Sequence, residues 1–224
     1  MTDLLVAVPS RGRPDKVARL VEACASRCRA DTLLCFGFDL DDNDLEANIR
    51  AAHGQMYETG PRDTLTGWTN KIVMANLEYA PYFGSLGDDM VPLTPGWDER
   101  LIMVLEKNRP GFAYPNDLRR TDIPEAVVIS RPVIRALGWM SPPFVTHWYQ
   151  DNVWADLGRA TDSLHYLPDV IVDHRHPNVT GEPADATYHD AAKGFDADLA
   201  AYQRWRLTGM AADVARVRRA QASM

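Results

Sequence analysis

Leu4-Leu5-Val6-Ala7-Val8 is a short, unbroken apolar run that stops at Pro9 and gives way at Pro14 to an amphipathic stretch. A continuous apolar run of this length reads as a strand covered on both faces. Pro14 suits the first turn of a helix, with Asp15 beside it. Val17, Leu20, Val21 and Cys24 then follow at helical spacing. A buried strand feeding a helix through a short turn points to an α/β architecture. The pattern recurs: Leu33 to Phe38, Gln55 to Glu58 and Tyr82 to Leu86 read as strands, and Gly67 to Tyr79 and Pro95 to Lys107 as helices. The alternation predicts a mostly parallel sheet flanked by helices, with ligands at the carboxyl ends of the strands.

The second half is less regular. Ala126 to Ile129 and Val170 to His174 are strand-like, while Arg131 to Leu137 and Tyr149 to Leu157 are helical. Trp139 to Trp148 is a loop rich in Pro and aromatics, and from Thr187 the chain is amphipathic helix. No repeat and no interdomain linker is evident. The expected organisation is one catalytic domain over residues 1–186, with a C-terminal helical extension over 187–224 packed on it.

Charge narrows the function classes. A net charge of -7 over 224 residues opposes non-specific nucleic-acid binding, which depends on neutralising phosphates with Lys and Arg. An acidic chain that handles phosphates needs a local site and a cation. Cys24, Cys28 and Cys35 lack the spacing of a disulfide framework and read as reduced thiols. The Leu4 to Val8 run is too short for a signal sequence or a membrane span, so a cytoplasmic location is expected.

Five segments carry chemistry. Gly87-Asp88-Asp89 follows an apolar strand. Adjacent carboxylates there need positive charge, which a divalent cation with oxygen ligands supplies. In Val172-Asp173-His174-Arg175-His176-Pro177, strand alternation puts His174 and His176 on one face. Two such histidines lie about 7 Å apart along a strand, so one ion takes one of them, and His174 is favoured. Ser10-Arg11-Gly12-Arg13-Pro14 joins a strand to a helix N-terminus with two arginines, which favours an anion. It has no P-loop spacing, and no Gly-x-Gly-x-x-Gly occurs in the chain. The acidic stretch Asp39 to Asp44 can accept hydrogen bonds from a ribose or a base. In His147-Trp148-Tyr149-Gln150-Asp151-Asn152, an Asp among aromatics suits a general base with a raised pKa.

Taken in order, these segments resemble the GT-A-type glycosyltransferases, especially the short family-2-like enzymes of phages and bacteria. The resemblance also takes in Gly67-Trp68-Thr69-Asn70-Lys71 and Pro95-Gly96-Trp97-Asp98, and it runs from about Leu4 to Tyr188. It implies an α/β, Rossmann-like fold and a metal-dependent transfer of a sugar from a nucleotide-diphosphate donor to a hydroxyl, with inversion. Pro9, Ser10, Arg11 and Arg13 would line the nucleotide and its pyrophosphate. Asp39 or Asp41 would touch the base or ribose, and Asn70 and Lys71 would lie near the donor. Asp88 and Asp89 stand where the family has its Asp-x-Asp motif, although Gly87 holds the first position. Asp88 would face the ribose, Asp89 and His174 the metal, and Asp151 would be the base.

The cofactor implied is Mn²⁺ or Mg²⁺, and the donor favoured is a UDP-sugar. The sequence leaves the hydroxyl acceptor open among a protein, glycan, lipid or modified DNA base. It also leaves open whether the C-terminal helices pair two chains as a homodimer or only cover the sheet; the setting implied is a bacterial cell or a phage-infected host. The competing readings are a sugar-phosphate nucleotidyltransferase, whose long glycine-rich loop is missing, and a non-catalytic nucleotide-sugar-binding module.

Overall fold

A computed structural model describes residues 2–181 and 183–223. The two ends of the expected domain ranges, Met1 and Met224, lie outside the described residues. The first strand, β1 (Leu4–Ser10), sends Leu4, Val6 and Val8 into one apolar cluster and Leu5 and Ala7 into another. Such alternation makes a strand buried on both faces. Helix α1 (Pro14–Arg27) follows, then β2 (Thr32–Asp39), α2 (Leu45–Ala51), β3 (Met56–Gly60) and α3 (Leu65–Ala75). Next come β4 (Tyr82–Ser85), β5 (Met90–Pro92), α4 (Trp97–Glu106), β6 (Phe112–Asn116) and β7 (Val127–Ser130). The chain ends through α5 (Arg131–Leu137), α6 (Gln150–Ala160), β8 (Leu164–His174), α7 (Pro177–Thr180), α8 (Ala186–Ala192), α9 (Phe195–Thr208) and α10 (Met210–Ala222).

The strand order is β3-β2-β1-β4-β7-β6-β8-β5. β7 and β5 run against the others, so the sheet is mostly parallel, as expected. Helices α1 and α4 cover one face; α3, α5, α6 and the C-terminal helices cover the other. From β1 the chain steps outward to β2 and β3, then returns to β4 on the other side. That reversal opens a crevice at the carboxyl ends of β1 and β4, where an open α/β sheet binds its ligand.

Several elements were not expected from the sequence. β6 contains Pro115, and proline weakens a strand pattern. β8 begins at Leu164 and not at Val170, because a bulge around Pro168 and Asp169 interrupts the pattern: Pro115 pairs with Leu167 and Asn116 with Ile171. Past the bulge β8 pairs with β5, bringing His174 opposite Met90. The expected fourth strand stops at Ser85, before Leu86. Among the described residues no helix is long and apolar enough to cross a membrane.

Candidate active site

Three strand ends build the site. β1 delivers Ser10 and the turn to Arg13; the connection from β4 delivers Asp88 and Asp89; the end of β8 delivers His174. Asp88 is buried and accepts hydrogen bonds from Ser10 Oγ at 2.6 Å and Arg13 Nη1 at 2.9 Å. Its pKa is raised by burial, against which the Arg13 charge acts, and by the charge of Asp89. Asp89 is buried as well, yet hydrogen bonds to His174 and Tyr188 hold it below the usual carboxylate range.

Asp89 Oδ2 lies 3.5 Å from His174 Nε2. The other ring nitrogen, Nδ1, lies 2.6 Å from Glu125 Oε2, which Arg119 Nη1 neutralises at 3.0 Å. Burial would lower the His174 pKa, but the bonds and charges of Asp89 and Glu125 raise it to about 9. His176 instead caps α7, its Nδ1 accepting from the Asn178 N–H. Of the two histidines, His174 is thus the one aimed at Asp89.

This donor set fits a divalent cation. Neighbouring ligands in a six-coordinate sphere lie about 3 Å apart, close to the Asp89–His174 separation. A carboxylate behind the far imidazole nitrogen is the usual support of a metal-bound histidine. A mixed oxygen and nitrogen set suits Mn²⁺ better than Mg²⁺, which prefers oxygen. Asp117, Glu125 and His174 also bring ligand atoms within 4.8 Å of one another. There, however, Arg119 neutralises Glu125, and Asp117 accepts the Arg119 and Arg120 N–H groups at 2.7 Å each.

The rest of the site is a set of charged clamps. Gly12 takes a positive φ of 65°, and its N–H bonds Asp42 Oδ2 at 2.8 Å. Arg11 reaches Asp39 at 3.0 Å and Asp41 at 2.5 Å. Asp39 also accepts from Trp68 Nε1 at 2.7 Å and the Asp63 N–H at 3.1 Å, whereas Asp41 is open to solvent. Pro9 lies in β1, paired with Gly37 of β2. Asn70 bonds the Met140 and Ser141 N–H groups and the Ser141 carbonyl, so its amide is committed to the 139–148 loop. Lys71 pairs with Asp63 at 2.7 Å and stands over the Trp68 ring.

Asp151 lies in the first turn of α6, whose N-cap Tyr149 is a non-glycine residue at φ 68°. Burial raises its pKa to about 6; the Asn152 N–H bond at 2.9 Å works against that shift, and the Glu125 charge adds to it.

The segment around α8 crosses this site. Asp185 grips Arg13 with both oxygens, at 2.7 and 2.9 Å. The Tyr188 hydroxyl bonds Asp89, and its ring lies 4.3 Å from the Arg13 guanidinium carbon. Nothing in the sequence announced Glu125, Arg119, Asp185 or Tyr188 as site residues. They sit in ordinary polar stretches, and only long-range folding brings them here.

No protein-family model and no curated protein matches the sequence. Solved structures do. The mannosyltransferase PcManGT of Pyrobaculum calidifontis, in complex with GDP-Man and Mn²⁺, aligns with a TM-score of 0.62 at 13% identity, over 100% of this chain and 76% of that one. The chain has the GT-A fold. Glucosyl-3-phosphoglycerate synthase from Mycobacterium tuberculosis, in complex with Mn²⁺, UDP and glucosyl-3-phosphoglycerate, shares the GT-A fold at TM-score 0.60 and 10% identity, over 90% and 80% of the two chains. S. aureus TarS 1-349, in complex with UDP-GlcNAc, does so at 0.57 and 8%, over 76% and 57%.

Proposed function

We propose that this chain is a metal-dependent glycosyltransferase taking a sugar from a nucleotide-diphosphate donor, with a UDP-sugar favoured. The observation that carries the reading is the Asp89–His174 pair, backed by Glu125, at the switch point of a GT-A fold. In this reading Asp89 and His174 hold the cation, and Asp88 with Ser10 fixes the turn beneath the donor. Arg13 and Lys16, whose Nζ lies 3.6 Å from Asp185 Oδ2 and over the Tyr188 ring, attract the diphosphate, and Asp41 faces the nucleoside. The cation, when bound, offsets charge that develops on the leaving diphosphate. Asp151 accepts the proton of the acceptor hydroxyl while that oxygen attacks C1 from the face opposite the leaving group, giving inversion. A group titrating near 6 is mostly ionised at neutral pH and still basic enough to assist.

A thermal-shift screen of UDP-, GDP-, CMP- and TDP-sugars, each with and without Mn²⁺, tests the donor site. A ligand of the native state raises the melting temperature by mass action. The expected result is a shift with one nucleotide class that needs Mn²⁺ and vanishes in Asp89→Ala. No shift with any donor overturns the reading. Release of free nucleoside diphosphate, not pyrophosphate, separates sugar transfer from nucleotidyl transfer.

A further inference from the structure

The turn that leads into Asp151 is held by a carboxylate from the far end of the chain. Asp198, on α9, is 3% exposed. It accepts hydrogen bonds from three consecutive backbone N–H groups, those of Thr146, His147 and Trp148, each at 2.9 Å. The Thr146 hydroxyl adds bonds at 3.0 and 3.2 Å. Successive N–H groups converging on one carboxylate form a tight anion nest, and charge-assisted bonds of this kind are the strong ones.

Other contacts fix the same turn. On the tail side, Trp148 Nε1 donates to the Ala191 carbonyl at 2.7 Å. Tyr202 of α9 stacks on Tyr149 at 5.2 Å, and Phe195 packs on both Trp148 and Tyr149. From α3, the Thr66 hydroxyl donates to the Val145 carbonyl at 2.6 Å. A tyrosine at positive φ persists only where its surroundings over-determine it.

The turn and the helix start just past it lie within electrostatic reach of both parts of the site. His147, within it, feels the charges of Arg13, Asp89 and His176 as well as that of Asp198. Asp151, just past it, feels those of Glu125 and Arg120, and its own charge acts on Tyr149 and Tyr202. We propose that Asp198 is a positioning residue: by binding the 146–148 N–H groups it sets where His147 and Asp151 stand relative to the Asp89–His174 pair. The inference rests on the reading of Asp151 as the base. It makes the C-terminal helices part of the working site as well as a cover for the sheet.

The test uses the full chain as wild type, Asp198→Ala and Asp198→Asn. Carbon-13 NMR follows the Asp151 carboxyl through its titration, the signal being assigned by its loss in Asp151→Asn. Turnover is read as nucleoside diphosphate released from the donor identified by thermal shift, with water as acceptor. The expected result is a displaced Asp151 titration in both Asp198 variants and a kcat lower by on the order of 10²-fold in Asp198→Ala, as misplacement by about 1 Å produces. The Mn²⁺-nucleotide Kd is expected to stay within about twofold, because a loss confined to the transition state leaves ground-state binding intact. Asp198→Asn keeps one acceptor oxygen and is expected to fall between. If Asp198→Ala does not fold, Asp198→Asn carries the same readouts. An unchanged Asp151 titration with unchanged kcat in a folded Asp198 variant overturns the proposal. Full turnover in Asp151→Asn sinks the base assignment separately.

Discussion

At the scale of single residues, Asp151 makes two demands of opposite sign on pH. Its pKa of about 6 means that the proton-accepting form is lost as pH falls through 6. The kcat profile is therefore expected to drop on the acid side with that midpoint, and Asp151→Asn to lose about 10²- to 10⁴-fold in kcat at neutral pH. For stability the sign reverses. A carboxyl whose folded pKa lies above its unfolded value of about 3.9 stabilises the fold at low pH, and that contribution is lost as pH rises through 6. Asp151→Asn is thus expected to melt higher than wild type at pH 8 and to match it near pH 4. Equal melting temperatures at both would show that the carboxyl is not destabilised by its surroundings. Glu125 makes a separate demand, because its carboxylate orients His174. Glu125→Gln is expected to weaken Mn²⁺ binding about 10- to 100-fold, measured by calorimetry on the chain without nucleotide. Asp88, Asp89 and His174 stood out in the sequence as candidates because acids and histidines at strand ends contrast with apolar runs, and the fold brings Asp89 and His174 together. Glu125 lies 49 residues from His174 in sequence and Tyr188 lies 99 from Asp89, and no local pattern encodes such a meeting.

Among the elements, β1, β2 and β4 followed from apolar runs, which is how strands buried on both faces read, whereas β3 is a half-exposed edge strand. β6 and the start of β8 were hidden by Pro115 and by the bulge at Pro168 and Asp169. That same bulge turns β8 toward β5 and carries His174 to Asp89, so the irregularity that obscured the strand also completes the site. The 139–148 loop is tied down at both ends. Asn70 binds one end, Thr66 and Asp198 the other, and Trp154 Nε1 donates to the Met140 carbonyl at 2.8 Å. Where β2 meets α3, Gly37 lets the Trp68 ring lie flat on the strand; a Cβ there would stand 2.8 Å from a ring carbon. Gly37→Ala is expected to destabilise the fold by about 1–3 kcal/mol through overpacking, measured by urea denaturation. It is also expected to loosen Asp39, which Trp68 holds. An unaltered denaturation midpoint would mean that the ring slides aside without strain.

In the whole molecule, the C-terminal helices pack on one face of the sheet. Trp205 and Val217 are buried in the core that contains Val133, Ile134 and Trp154, and Trp205 stacks on Phe144 at 5.7 Å. Removing residues 195–224 strips that face, and the shortened chain is expected to lose cooperative thermal unfolding and to aggregate. A soluble fragment with a sharp transition would instead mark the tail as separable. The net charge of -7 coexists with Arg11, Arg13 and Lys16 at one rim, each of them paired there with a carboxylate. The strap around α8 then sets the terms of any encounter there. Asp185 already fills the fork of Arg13, and Tyr188 already bonds Asp89. If the proposed donor binds at Arg13, its diphosphate takes the seat of a resident carboxylate, and uptake is then an ion exchange, one negative group leaving the guanidinium as another comes in.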